Sequence, residues 1–254
     1  MKPRGGTPGA RAGKPRIGFR ARPMASWRKA LGGPVAGVFI TMEGVEGSGK
    51  STQLLRLSER LRRLGLPLVV SKEPGGTALG RELRRLLLEP HPGGEVWAPE
   101  AELLLFCADR AQHLKDVVRP ALAAGKVVLV DRFEDSTRAY QGASGVPEEA
   151  LDALSTLVLQ RLKPHLTLLL DMDPETSLQR VEVRNLALEG FNETRFDAAH
   201  VDFHRRVRAR FLAIAEREPN RVAVIPAREG EEAVEAALWA RVAPLLRNAG
   251  FGVD

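Results

Sequence analysis

The sequence predicts an α/β domain in which a five-stranded parallel sheet lies between helices, and three observations carry that prediction. Short, β-rich apolar runs alternate with longer helical patterns from residue 38 to residue 246, the order expected of strand–helix–strand units. The runs lack polar alternation, so both faces of each strand are expected to be buried. A Gly-rich segment separates the first strand from the first helix, and sheets of this kind hold ligands beyond the carboxyl ends of their strands.

In chain order, Val38–Met42 reads as a strand, and Ser51–Leu64 as a helix after the Gly-rich turn. Leu66–Ser71 is the second strand. Thr77–Leu88 is helical, and Pro90–Gly94 breaks it, since Pro cannot donate to a helix ladder. Pro99–Ala124 is mostly helical, and Val127–Asp131 is a continuous apolar run that forms the third strand. Pro147–Leu162 is a helix, Leu166–Asp171 the fourth strand, and Pro174–Arg184 and Ala198–Glu216 are helices flanking a polar stretch. Val222–Ile225 and Glu231–Leu246 supply the last strand and helix.

The bulk composition sets limits. The 254 residues suit one domain with a tail. No run of 18 apolar residues occurs, so no membrane span is expected. A single cysteine, Cys107, rules out a disulfide framework or a Cys-based zinc site within one chain, and fits a reducing cytoplasm. Cys107 stands in the apolar run Leu103–Ala108 and reads as a buried small hydrophobe. The net charge of +6 hints at a nucleic-acid partner, but its distribution argues against one. Nine of the 38 Lys/Arg and none of the 32 Asp/Glu fall in residues 1–34, leaving 29 against 32, a net of −3, for residues 35–254. Residues 1–34 are rich in Gly, Pro and Arg without apolar periodicity, and read as a basic, disordered extension of a domain spanning 35–254.

Gly44-Val45-Glu46-Gly47-Ser48-Gly49-Lys50-Ser51, followed by Thr52, fits G-x-x-x-x-G-K-[ST]. Such a P-loop turns backbone N–H groups toward phosphate oxygens, and the helix it opens adds partial positive charge. Lys50 is expected to bridge the β- and γ-phosphates and Ser51 to ligate Mg²⁺. The chain lacks a guanine-reading Asn-Lys-x-Asp motif, so ATP is the expected nucleotide. A Mg²⁺ site also needs a carboxylate at a strand end. Asp131 and Asp171 both qualify; Asp131 is favoured because Arg132 follows it and would hold a phosphate at the same mouth. Asp171 could instead cap the helix that starts near Pro174.

A kinase needs a second phosphate site facing the first, and mobile cations to cover it. Arg110 and Arg132 follow elements at the expected mouth. Arg180, Arg184 and Arg195 cluster around Asn185–Thr194, a Gly- and Asn-containing stretch that reads as a mobile lid over about residues 184–197. Each of these arginines could equally belong to a solvated helix face in a chain this rich in Arg. His200 and His204 are spaced i, i+4, but no Cys or third His completes a metal site, so they read as helix surface.

The motifs then become recognisable. The P-loop is followed by Glu73-Pro74-Gly75-Gly76-Thr77, Leu105-Phe106-Cys107-Ala108-Asp109-Arg110, Asp131-Arg132-Phe133, Ser136-Thr137-Arg138-Ala139-Tyr140-Gln141-Gly142 and Arg195-Phe196-Asp197. In order and spacing the chain resembles bacterial thymidylate kinases from Val38 to about Leu246. The resemblance implies transfer of the γ-phosphoryl group of ATP to dTMP, giving dTDP and ADP, in a cytoplasmic homodimer with no membrane or nucleic-acid partner. It implies that Glu46 lies near the deoxyribose 3′-hydroxyl and the metal region, and that Phe106 stacks on thymine. Arg110 would donate to a thymine carbonyl, and Arg132 would anchor the dTMP phosphate with Asp131 beside the metal. Lys72, Pro74, Ser136, Thr137, Tyr140 and Gln141 would line the substrate pocket. Arg180 would pack on adenine, and Arg184 would be the catalytic lid arginine, because Gly47 and Ser48 leave the P-loop without one. Three positions depart from the family pattern: Lys72 stands for Arg and loses the bidentate fork, Phe133 stands for Tyr or His, and Glu182 stands for a lid Arg. The rival readings are another nucleotide kinase of this fold, or a nucleic-acid-stimulated P-loop ATPase that uses the basic extension.

Overall fold

The computed structural model describes residues 37–187 and 200–253. The extension expected over residues 1–34 and, of the lid expected over about residues 184–197, the part beyond residue 187, Arg195 included, lie outside the described residues, as does the side chain of Arg184. In chain order, β1 (Val38–Glu43) leads to α1 (Lys50–Arg63), β2 (Leu68–Lys72), α2 (Ala78–Leu88) and α3 (Pro99–His113). A π turn (Leu114–Val118) joins α3 to α4 (Arg119–Ala123), followed by β3 (Val127–Asp131), α5 (Glu134–Ala143), α6 (Glu148–Leu159) and β4 (Leu166–Asp171). α7 (Pro174–Ala187), α8 (Val201–Arg217), β5 (Val222–Pro226) and α9 (Glu231–Asn248) complete the chain. The strands form one parallel sheet in the order β2-β3-β1-β4-β5, as the apolar runs predict.

Side chains on β1 alternate between the two faces. Val38, Ile40 and Met42 join Leu57 and Leu61 of α1 and Leu238, Val242 and Leu246 of α9. Phe39 points the other way, into a cluster with Val128, Val130, Phe133 and Val118. Burying each such side chain contributes about 1.5–3 kcal/mol, so the central strand is firmly held, and the loops at its carboxyl end inherit that rigidity. Cys107 is buried beside Leu103, Val146 and Leu151, as its apolar run predicts.

Two differences from the sequence reading have clear causes. The single helix expected over Pro99–Ala124 is interrupted by the π turn, with Pro120 at the start of the next helix. Pro120 has no N–H for the carbonyl four residues back, and the ladder shifts register just before it. Helix α5 carries Glu-Asp-Ser-Thr-Arg in its first turns and buries Ser136, Thr137 and Gln141, so it shows no apolar period and escapes a reading based on one.

The sheet order reverses at β1, whose neighbours are β3 and β4. A crevice opens at such a point, beyond the carboxyl ends of the strands. The P-loop after β1 and the turn after β3 both end there.

Candidate active site

The P-loop glycines are required by geometry. Gly47 has φ +70, and a Cβ there would lie 2.1 Å from the Ser177 carbonyl oxygen. Gly44 has φ +142, and its Cβ would meet the Leu170 carbonyl oxygen at 2.5 Å. Gly49 starts α1 in the left-handed region with no side-chain cap, and a Cβ there would meet nothing within 4 Å. The amide donors of the first turn are therefore left facing an open cradle, and no acidic residue occupies that turn.

Lys50 lies folded over this loop, donating from Nζ to the Val45 carbonyl at 2.7 Å, with Ser48 Oγ at 3.5 Å. Burial, reinforced by the neighbouring Arg132, lowers its ammonium from 10.5 to about 8. Such a group gains strongly from a phosphate partner.

Arg132 is the second cation of the mouth. Its φ of +64 is unusual for a non-Gly residue, a conformation that costs about 1–3 kcal/mol and persists where surrounding contacts enforce it. Those contacts are explicit. Nη1 donates to Gly44 O at 3.0 Å and to Ser136 Oγ at 3.1 Å, and Nη2 donates to Glu46 Oε1 at 2.7 Å. Glu43, at the end of β1, accepts from Phe133 N–H at 2.8 Å and from Ser136 Oγ at 2.5 Å, fixing the turn that presents Arg132. The Tyr140 hydroxyl donates to Glu46 Oε2 at 2.5 Å. Burial alone would raise the Glu46 carboxyl; Arg132, Lys50 and Tyr140 outweigh it and hold the group below its usual range.

One cavity of about 830 Å³ joins the two cations. Its walls include Glu46 through Thr52, Lys72, Pro74, Phe106, Arg110, Asp131, Arg132, Ser136, Thr137, Tyr140, Gln141 and Arg180. Of the binding residues expected from the sequence, Gly44 and Val45 are not among the lining residues. Gly44 and Val45 act through their carbonyls, on Arg132 and Lys50. Phe106 is only half-buried and stands in the cavity wall, not in the core. Arg110 is 2% exposed and donates from Nε to Glu73, from Nη1 to Glu134 and from Nη2 to Thr137. Phe133 is fully buried, edge-on to Phe39.

The two candidate carboxylates differ in their surroundings. Asp171 is held by Arg208, with contacts of 2.6 and 2.8 Å, and Asp173 caps α7 by accepting from Thr176 N–H at 2.9 Å. Asp131 lines the cavity, and its buried Oδ1 has no hydrogen-bond partner among the described residues. An orphaned carboxylate oxygen and a hydroxyl at a helix start, Ser51, lining one cavity are donors of the kind that suit Mg²⁺.

The surface reading of the histidine pair requires correction. His200 is exposed and precedes α8, but His204 is fully buried, with Nδ1 3.5 Å from Glu46 Oε2. The two are four residues apart, but α8 turns its His204 face onto the P-loop.

Sequence reasoning missed Arg84 and Glu43, and gave Glu73 no role of its own. Arg84 lines the cavity from α2 and donates to Pro74 O at 2.9 Å. It stands in the run Arg81-Glu82-Leu83-Arg84-Arg85, which reads as a solvated face. Glu43 did carry a signal, a lone acid closing an otherwise apolar strand.

Comparison with known proteins agrees with this geometry. The family model described as thymidylate kinase matches residues 42–238. The thymidylate kinase of Desulfovibrio desulfuricans is 48% identical over 219 residues, covering 85% of this chain and all of that relative. The thymidylate kinase of a Synechococcus species is 47% identical over 216 residues, covering 85% of this chain and 98% of its own length. The crystal structure of thymidylate kinase from Ehrlichia chaffeensis superposes with a TM-score of 0.65 at 30% identity, over 82% of this chain and 99% of that one. With a P-loop and a paired arginine turn sharing one cavity, and near-complete coverage of these relatives, the chain belongs to the thymidylate kinase family.

Proposed function

We propose that this chain transfers the γ-phosphoryl group of ATP to dTMP, and that the residues above divide the work as follows. The observation that carries the reading is the shared cavity: Arg132 reaches the P-loop backbone at 3.0 Å while lining the same space as Lys50. Two phosphate groups held by these cations face each other, which is what in-line transfer requires.

The P-loop amides and Lys50 hold the β- and γ-phosphates, and Arg180 flanks the adenine. Arg132 anchors the acceptor phosphate, with Lys72 and Arg84 at the same wall. Phe106 stacks on the thymine ring, which a flat apolar face suits. Arg110 donates to the base carbonyl, a contact that the amino group of cytosine would not accept. Glu46 and Tyr140 bound the sugar. Arg184 and the lid supply a further cation to the transferring group.

Ser51 and Asp131 would hold Mg²⁺, and the ion would supply charge neutralisation to the phosphates. The chain itself positions and neutralises. No general base is needed, because a phosphate oxygen attacks without activation.

A homodimer is part of this reading. Leu79 and Leu86 of α2, Leu104 of α3 and Leu157 of α6 are exposed on helices that pack against one another, and light scattering of the purified chain tests whether a second copy covers them. We place the protein in the cytoplasm; no helix among the described residues is long and apolar enough to cross a membrane.

A coupled ADP-release assay across a nucleotide panel tests the activity. Turnover is expected with dTMP and to survive deletion of residues 1–34. Turnover with dGMP or thymidine in its place, or hydrolysis stimulated by nucleic acid, overturns the reading.

A further inference from the structure

We propose that His113, acting through Glu73, positions Arg110 for base recognition and thereby sets the preference for dTMP; this rests on the role given to Arg110 above.

The argument starts from a chain of buried hydrogen bonds. Ser71 Oγ on β2 lies 2.7 Å from His113 Nε2. His113 Nδ1 lies 2.8 Å from Glu73 Oε1, and Glu73 Oε2 accepts from Arg110 Nε at 2.9 Å. His113 is 0% exposed, Glu73 4% and Arg110 2%. His113 and Arg110 are three residues apart on α3, so they share a helix face, and Glu73 spans both.

A guanidinium is a rigid fork whose aim depends on where its partners hold it. Glu134 Oε2 takes Nη1 at 3.1 Å and Thr137 takes Nη2 at 2.8 Å. Glu73 alone takes Nε, and its own rotamer is held by His113. Replacing the imidazole with an apolar group would leave a buried carboxylate oxygen without its donor, and Glu73 would turn to find another. Arg110 would then lose the partner on its Nε side while remaining charged and buried.

A second observation shows that the loop is shaped around this imidazole. A Cβ at Gly76 would sit 2.5 Å from His113 Cδ2 and 2.7 Å from Nε2. The Glu73-Pro74-Gly75-Gly76 segment therefore closes directly onto His113, and its second glycine makes the room. The alternative is a histidine that merely fills volume in the core.

Side-chain shape separates the two. The amide of Asn places its nitrogen near the position of Nδ1, whereas that of Gln falls nearer Nε2. Initial rates of the full chain are measured against dTMP and dCMP at saturating ATP for wild type, H113N, H113Q, H113F and E73Q. The ratio of kcat/KM for dTMP to that for dCMP is expected to fall about tenfold in H113F and E73Q, mostly through KM for dTMP. The KM for ATP should move less than about twofold, and H113N should stay within about threefold of wild type. If H113F does not fold, as judged by its thermal melt, the comparison of H113N with H113Q decides, with the loss expected in H113Q. The inference is overturned if H113F matches or exceeds H113N, or if E73Q keeps the wild-type ratio. Failure of wild type to phosphorylate dTMP would instead overturn the function itself, and loss in E73Q without loss in H113F would remove His113 while leaving Arg110 in its role.

Discussion

Arg132 donates to Glu46 across 2.7 Å, so the arginine of the β3–α5 turn is clamped to the loop that follows β1. Those two segments are adjacent because β1 and β3 are neighbouring strands, with Met42 opposite Asp131. The same guanidinium reaches the Gly44 carbonyl and Ser136. The arginine proposed to anchor the acceptor phosphate is thus tied to the P-loop, and the pairing of β1 with β3 fixes the spacing between the two segments.

Arg132→Lys keeps the charge and removes the fork. A lysine cannot hold Glu46, Gly44 O and Ser136 while also meeting a phosphate. We expect kcat/KM for dTMP to fall about 100-fold, equivalent to about 2–3 kcal/mol for a charge-assisted bidentate contact. The KM for ATP should change little. Steady-state kinetics with each substrate varied in turn checks this, and an equal loss on both sides would remove the assignment.

The parts of this arrangement that were legible in the sequence are those with a fixed local pattern. Gly44, Gly49 and Lys50 belong to a motif whose spacing is dictated by phosphate geometry, and the buried strands announce themselves as apolar runs. Arg84 and His204 were not legible, because what matters in each is the direction of a side chain on an amphipathic helix. An Arg in an Arg-rich turn and a His beside Arg205 look solvated until tertiary packing turns one toward the cavity and the other onto Glu46. Helix α5 was missed for a related reason: it buries polar side chains, so its inward face carries no apolar period.

Lys50 gives a prediction in pH. Its ammonium is lowered to about 8 by burial and by Arg132, so the nucleotide-free enzyme loses the phosphate-bridging charge above about pH 8. The value of kcat/KM for ATP should fall there, while kcat holds to higher pH because bound phosphate restores the proton. The stability effect has the opposite sense. Between about pH 8 and 10.5 the unfolded chain binds a proton that the folded chain does not, so this group's contribution improves as pH rises. Lys50→Met should abolish turnover and raise stability at pH 7 by about 1–3 kcal/mol, the usual cost of a functional buried charge. Denaturant unfolding of the nucleotide-free protein measures it, and a destabilised variant would contradict the argument.

Glu43 behaves in reverse. Burial, with Asp135 adding to it, raises its carboxyl from 4.5 to about 8. Between those values the folded chain keeps a proton that the unfolded chain releases, so stability falls as pH rises through that window. Glu43→Gln is isosteric, still accepts from the Phe133 N–H and carries no charge. It should flatten the slope and leave the protein more stable than wild type at pH 8–9, on the order of 1–3 kcal/mol. Thermal melts from pH 5 to pH 9 test this; parallel Tm curves for the two proteins would refute it.

Asp131 supplies the metal test. Its Oδ1 is buried without a partner among the described residues, and it lies at the mouth with Lys50 and Ser51. Structural carboxylates are seldom left so, because an unpaired buried acceptor costs about 1–3 kcal/mol. A divalent cation, or the water it carries, would satisfy the oxygen. Asp131→Asn preserves shape and removes the negative charge. It should raise the Mg²⁺ concentration for half-maximal rate by about tenfold and lower kcat by about 10–100-fold. Folding stability should stay level or increase, since the orphan charge is gone. The decisive readout is the rate against free Mg²⁺ at fixed ATP, compared with wild type. If the Asn variant lost activity with an unchanged Mg²⁺ midpoint, Asp131 would be placing Lys50 and Arg132 without touching the metal, and Ser51 would remain as the only protein ligand assigned here.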